Sequence, residues 1–121
     1  MIRFKDIQFE QHKIREDFVR YNGTLNIGPY VLSVSYGEMV YGSGPESDTY
    51  EVAIWDEHDI IPLSDDSDVL GWTHSAEIDQ IILMLHDVSN FGDACRVFKK
   101  TRWSRRFSMI GEYKYMDELV Q

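Results

Sequence analysis

The chain holds one cysteine, Cys95, which excludes an internal disulfide framework. That fits a reducing compartment. Zinc-ligand spacing is missing too: His12, His58, His74 and His86 are scattered, with no His-x-x-x-His and no Cys-x-x-Cys. Long hydrophobic runs are absent. The longest, Ile81-Ile82-Leu83-Met84-Leu85, falls far short of a membrane span. Met1-Ile2-Arg3-Phe4-Lys5-Asp6 has no apolar run behind its basic residues, which predicts no signal peptide. Asn22-Gly23-Thr24 matches a glycosylation sequon, but without secretion it goes unused. The expectation is a cytoplasmic protein that makes no membrane contact.

The most informative absence is of positive charge. Residues 21–95 contain no lysine or arginine and fourteen Asp/Glu. Residues 1–20 are nearly balanced, with five Lys/Arg against four Asp/Glu, and residues 96–121 reverse the sign, with seven against three. The net charge of −9 therefore hides a strong segregation. Asp56, Glu57, Asp59, Asp65, Asp66 and Asp68 crowd one short stretch, and Arg96, Lys99, Lys100, Arg102, Arg105 and Arg106 another. Such asymmetry is one signature of a nucleic-acid or partner surface. The plainer and favoured reading is a basic segment packed across the acidic face of its own domain, since opposite charges attract within a Debye length of about 8–10 Å.

What is present is enough for one folded domain. The 121 residues are 43% hydrophobic, sufficient to bury a core without disulfides or metal. The reading is a single domain, 1–121, with a core over 1–92 and a basic segment over 93–121. Tyr30, Leu32, Val34 and Tyr36 alternate with Val31, Ser33 and Ser35, the period of a strand. Tyr50, Val52 and Ile54 form one face of the next strand, opposite Glu51, Ala53 and Trp55. Residues 37–48, with Gly37, Gly42, Gly44 and Pro45, read as a long hairpin loop. Asn22-Gly23, after the apolar Phe18-Val19, reads as a tight hairpin turn. Ile7 and Phe9 alternate with Gln8 and Glu10 as a short strand, and Ile60-Ile61-Pro62-Leu63 reads as an edge strand.

Ile78, Ile81, Ile82, Leu85 and Val88 recur at helical spacing. Thr73 is the expected N-cap, Glu77 falls in the first turn, and Asn90 and Gly92 are stop signals. The fold class is thus α+β: an antiparallel β-meander of about four or five strands, with one amphipathic helix over about 74–89 packed on one face. Beyond Gly92, a second helix over 93–100, a strand over 107–115 and a final turn over 116–120 are weaker patterns.

The succession Ile7-x-Phe9, Tyr21-Asn22-Gly23, Tyr30-x-x-Ser33, Tyr50-Glu51-Val52-Ala53-Ile54 and Asp68-Val69-Leu70-Gly71-Trp72, then an acidic amphipathic helix, resembles small accessory proteins of tailed bacteriophages. Those proteins read aromatic-Asn-Gly, Tyr-Gly-x-Ser-Val, Tyr-Glu-Leu-Ala-Val and Asp-Val-x-Gly before their helix. The resemblance spans about residues 5–90. Residues 24–29 are an insertion relative to it, and the basic stretch after Cys95 lies outside it. It implies an accessory factor working in the host cytoplasm. It implies no activity and carries no functional residue over.

Each candidate chemistry has a plainer alternative. The acids from Asp56 to Asp68 are hard-cation ligands by type, but Asp66-x-Asp68 lacks the glycine and terminal glutamate of a calcium loop, so a solvated acidic loop is the better reading. Cys95 lies near basic residues that would lower a thiol pKa, yet no histidine partner is indicated, which favours an inert thiol. The glycines at 37, 42 and 44 are followed by no lysine and are surrounded by carboxylates, which excludes a phosphate loop. No metal and no cofactor is implied, and no converging catalytic set points to an enzyme.

Two partner surfaces remain. Trp55, Asp56, Glu57, Asp59, Asp65, Asp66 and Asp68 form a candidate protein-docking surface, tryptophan being common at interface hot spots. Trp55 would equally pack beneath the C-terminal segment or within a homodimer. Arg96, Lys99, Lys100, Arg102, Trp103, Arg105 and Arg106 combine cations for phosphates with a ring for stacking, as a nucleic-acid contact does. The fourteen carboxylates of residues 21–95 would repel the same phosphates. The expected function is a non-enzymatic acidic binding protein of the phage accessory kind that docks on a host protein. Nucleic-acid binding through residues 96–106 is the alternative.

Overall fold

The computed structural model describes residues 2–57, 59–61, 63 and 68–87. A 3-10 turn, Phe4–Asp6, leads into strands β1 (Glu10–Arg15), β2 (Phe18–Ile27), β3 (Tyr30–Gly37), β4 (Tyr50–Trp55) and β5 (Leu70–Thr73), followed by helix α1 (Ser75–Asp87). The five strands form one antiparallel sheet in the order β1-β2-β3-β4-β5, a meander. The α+β class expected from the sequence is the class observed. No helix among the described residues is long and apolar enough to cross a membrane.

Alternation sets the two faces of the sheet. Tyr30, Leu32 and Val34 of β3 and Tyr50, Val52 and Ile54 of β4 are buried on one side. The helix lays Ile78, Ile81, Ile82 and Leu85 against that side. Each such side chain contributes roughly 1.5–3 kcal/mol by leaving water, before chain entropy is counted. Val88, Asn90 and Gly92, the second helix over 93–100, the strand over 107–115 and the turn over 116–120 lie outside the described residues.

Asn22-Gly23 is not a turn. Both residues lie inside β2, and the hairpins turn instead at Glu16-Asp17 and at Gly28-Pro29, where Gly28 adopts φ 56°. Packing overrides the local turn propensity. The N-terminal segment crosses so closely that a β-carbon at Gly23 would collide with the Ile7 side chain and lie 2.8 Å from the Gln8 carbonyl oxygen. Asn22 is held by its amide, which donates to the Ser33 and Ser35 hydroxyls at 2.8 Å each.

Ile7 and Phe9 do not form the expected strand. Ile7 follows the 3-10 turn into the core, and Phe9 packs in an aromatic row with ring centroids 5.1 Å from Tyr36 and 6.0 Å from Tyr50. The first strand begins one residue later. Of the edge strand expected over residues 60–63, Ile60, Ile61 and Leu63 are described, and these belong to none of the strands β1 to β5. Ile60 makes an isolated bridge to Trp55, and the Ile61 N–H donates to the Ile54 carbonyl at 2.7 Å. The strand that pairs along the other edge of β4, opposite β3, is β5.

The helix start also differs. Thr73 belongs to β5, and its hydroxyl donates to the Leu70 carbonyl at 3.2 Å. The cap is His74: its N–H donates to Glu77 Oε1 at 3.0 Å, and its carbonyl accepts from the Ile78 N–H at 3.0 Å. Asp48, from the 37–48 loop, adds a second anchor. Its carboxylate accepts from the Ser75 N–H at 3.3 Å and its carbonyl from His74 Nδ1 at 2.8 Å. The negative charge thus meets the positive end of the helix dipole.

Candidate functional surface

The sheet face away from the helix carries the exposed candidates. On β4 it presents Glu51, the buried Ala53 and Trp55; on β3, paired to it, Val31, Ser33 and Ser35; on β2, Asn22. Trp55 pairs with Val31 and is 39% exposed. The sequence placed it correctly on the face opposite Val52 and Ile54.

Asp56 and Asp59 close the turn that follows Trp55. The Asp59 N–H donates to Asp56 Oδ1 at 3.0 Å, the Asp56 N–H to the Asp59 carbonyl at 3.1 Å, and the Ile60 N–H to Asp59 Oδ1 at 2.7 Å. These two carboxylates therefore have a structural task in addition to their charge. Glu57 is exposed at the tip of that turn, and Asp68 is exposed just ahead of β5. Because β5 runs antiparallel to β4, with Leu70 opposite Val52, Asp68 falls toward the Trp55 end of the sheet. Asp65, Asp66 and the basic candidates Arg96, Lys99, Lys100, Arg102, Trp103, Arg105 and Arg106 lie outside the described residues, as does Cys95.

A second exposed cluster was not found from the sequence. Tyr41 and Trp72 set their rings 6.5 Å apart at 57°, and are 59% and 46% exposed. The Trp72 N–H donates to the Tyr41 carbonyl at 2.7 Å, and the Tyr41 N–H to Glu51 Oε1 at 3.2 Å. Trp72 and nearby Met39 have φ of 53° and 65°, a left-handed backbone that bulky side chains rarely adopt. No hydrophobic period announces this pair, because it is made by a loop folding back onto a bulge in β5.

A polar groove of about 360 Å³ is lined by Asp6, Gln8, Glu10, Asn22, Gly23 and Thr24. Among the described residues no group of three or more His, Cys, Asp or Glu side chains could hold a metal ion. The shifted groups belong to the aromatic row beneath the 37–48 loop. Burial pushes the Tyr50 phenol above its ordinary value, helped by the Asp48 carboxylate and by Tyr36. Burial pushes Tyr36 the same way, helped by Tyr21, whose ring stacks on it at 4.7 Å.

No protein-family model, curated protein or solved structure matches the chain.

Proposed function

We propose that the chain is a non-enzymatic acidic binding protein, an accessory factor of the tailed-phage kind that docks on a host protein in the host cytoplasm. One observation carries this reading: a tryptophan 39% exposed on the sheet face away from the helix, beside an acidic turn, in a stretch without a single lysine or arginine from residue 21 to 95. An exposed ring supplies contact area, and a one-sign field steers a basic partner and speeds association.

The test uses the full chain immobilised at low salt and exposed to bacterial lysate. The expected result is retention of a specific protein that is lost with Trp55→Ala and with the pair Glu57→Lys and Asp68→Lys, which spares the carboxylates that close the turn. Retention of nothing, or retention indifferent to these changes, overturns the reading. A nucleic-acid probe shifted by the chain, and released when Arg102, Arg105 and Arg106 are changed to Gln, would replace it with the nucleic-acid alternative.

A further inference from the structure

We infer that the polar groove between β2 and the segment leading into β1 seats a protonated aliphatic amine. The inference does not rest on the docking reading, because β2 lies two strands away from the strand that carries Trp55.

The groove owes its shape to Gly23. The chain ahead of β1 crosses β2 at that residue, with Ile7 entering the core and the Gln8 carbonyl close against the glycine. The cleft beside the crossing holds about 360 Å³, within the range of small-molecule sites, roughly 300–1,000 Å³. Asp6, Gln8, Glu10, Asn22 and Thr24 supply its side chains. None is a lysine, arginine or histidine, so an anion would meet two carboxylates and no countercharge.

Asn22 shows which chemistry the groove awaits. Its amide nitrogen lies 2.8 Å from the Ser33 and Ser35 hydroxyls and 3.3 Å from the Val34 carbonyl oxygen. A carbonyl oxygen only accepts, which fixes the nitrogen on the β3 side. The amide is planar, so Oδ1 turns the other way, toward β1, where Glu10 is the residue paired with Asn22. An amide oxygen and a carboxylate thus share one cleft. Among the described residues Glu10 and Asp6 have no ion-pair partner, and the side chains of Gln8, Glu10 and Thr24 make no hydrogen bond. His12 and Arg20, on the same face two residues along the ladder, form no ion pair with Glu10.

An ammonium group answers this arrangement. It carries three donors and no acceptor, and its bonds to carboxylates are charge-assisted. A metal ion suits the groove less, since no group of three or more His, Cys, Asp or Glu among the described residues could hold one.

The probe is 1,4-diaminobutane, titrated at low salt into the full chain labelled with nitrogen-15. The control is butane-1,4-diol, which keeps the length and removes the charge. The expected result is saturable shifts of the Gln8, Gly23 and Thr24 amides with the diamine alone. Glu10→Gln should weaken binding roughly tenfold, the usual worth of a hydrogen bond to a charged group. Glu51→Gln, on the same sheet face but on β4, should leave it unchanged. Circular dichroism confirms that both variants fold. Equal shifts with the diol, no shifts at all, or indifference to Glu10→Gln overturns the inference. Equally strong shifts at Asp56 and Glu57 would show attraction to net charge only, and also overturn it. Nα-acetyl-lysine amide separates the two sources of such an amine: binding at least as tight as the diamine's assigns the groove to a lysine of a protein, and weaker binding to a free amine.

Discussion

Gly71 lies directly against Tyr41: a β-carbon at position 71 would come within 2.6 Å of the Tyr41 Cβ. A Cβ cannot swing aside as the far end of a side chain can, so the backbone of one partner must move. Gly71→Ala is expected to cost about 1–3 kcal/mol, the usual penalty for overpacking, read from the midpoint of urea unfolding.

Asp48 ties the 37–48 loop to the start of α1 through the Ser75 N–H and His74 Nδ1. Asp48→Ala removes the carboxylate and should cost about 1 kcal/mol, as loss of a helix cap does. Amide exchange at Ser75 should quicken while exchange at Ile82, in the middle of α1, follows only the global change in stability. Unchanged exchange at Ser75 would show that the helix end does not need the loop.

The phenols of Tyr36 and Tyr50 are raised mainly by burial. A group whose folded pKa exceeds its unfolded value contributes stability that is complete below the unfolded pKa and fades as pH rises through the folded one. Stability should therefore hold up to the ordinary tyrosine range near about pH 10 and fall beyond it. In absorbance titration, Tyr36→Phe and Tyr50→Phe should each remove a late-ionising phenol. Asp48→Ala should bring Tyr50 part of the way back.

Adjacent residues on β4 should respond very differently. Ile54 is fully buried between the sheet and α1, whereas Trp55 faces outward. Ile54→Ala is expected to cost about 2–5 kcal/mol. Trp55→Ala should cost clearly less, because the ring faces outward and is 39% exposed. Thermal or urea unfolding of both variants checks the contrast, and equal losses would mean that Trp55 is a core residue.

The strands and helix that could be read in advance are those with solvent on one side only. β3, β4 and α1 each bury one face, so their apolar residues repeat at two or at 3.6. β1 gave no such signal: Glu10, Gln11, His12, Lys13 and Arg15 are all exposed, so neither face is marked. Asn22-Gly23 misled because its glycine serves the close passage of Ile7 and Gln8, a contact between distant parts of the chain. β5 is only four residues long, contains Gly71, and pairs through an irregular register. Trp55 was legible because alternation from Val52 and Ile54 fixes its side. Tyr41 and Trp72 were not, since a left-handed backbone at Trp72 breaks any period.

The placement of Asn22 and Gly23 within β2 bears on how the protein ages. Asparagine followed by glycine is the pair most prone to lose its side-chain amide, through attack of the next backbone nitrogen on the side-chain carbon. Here the backbone is held extended and the amide is committed to Ser33 and Ser35. The native fold shields its most perishable link, and deamidation at position 22 becomes a chemical record of time spent unfolded.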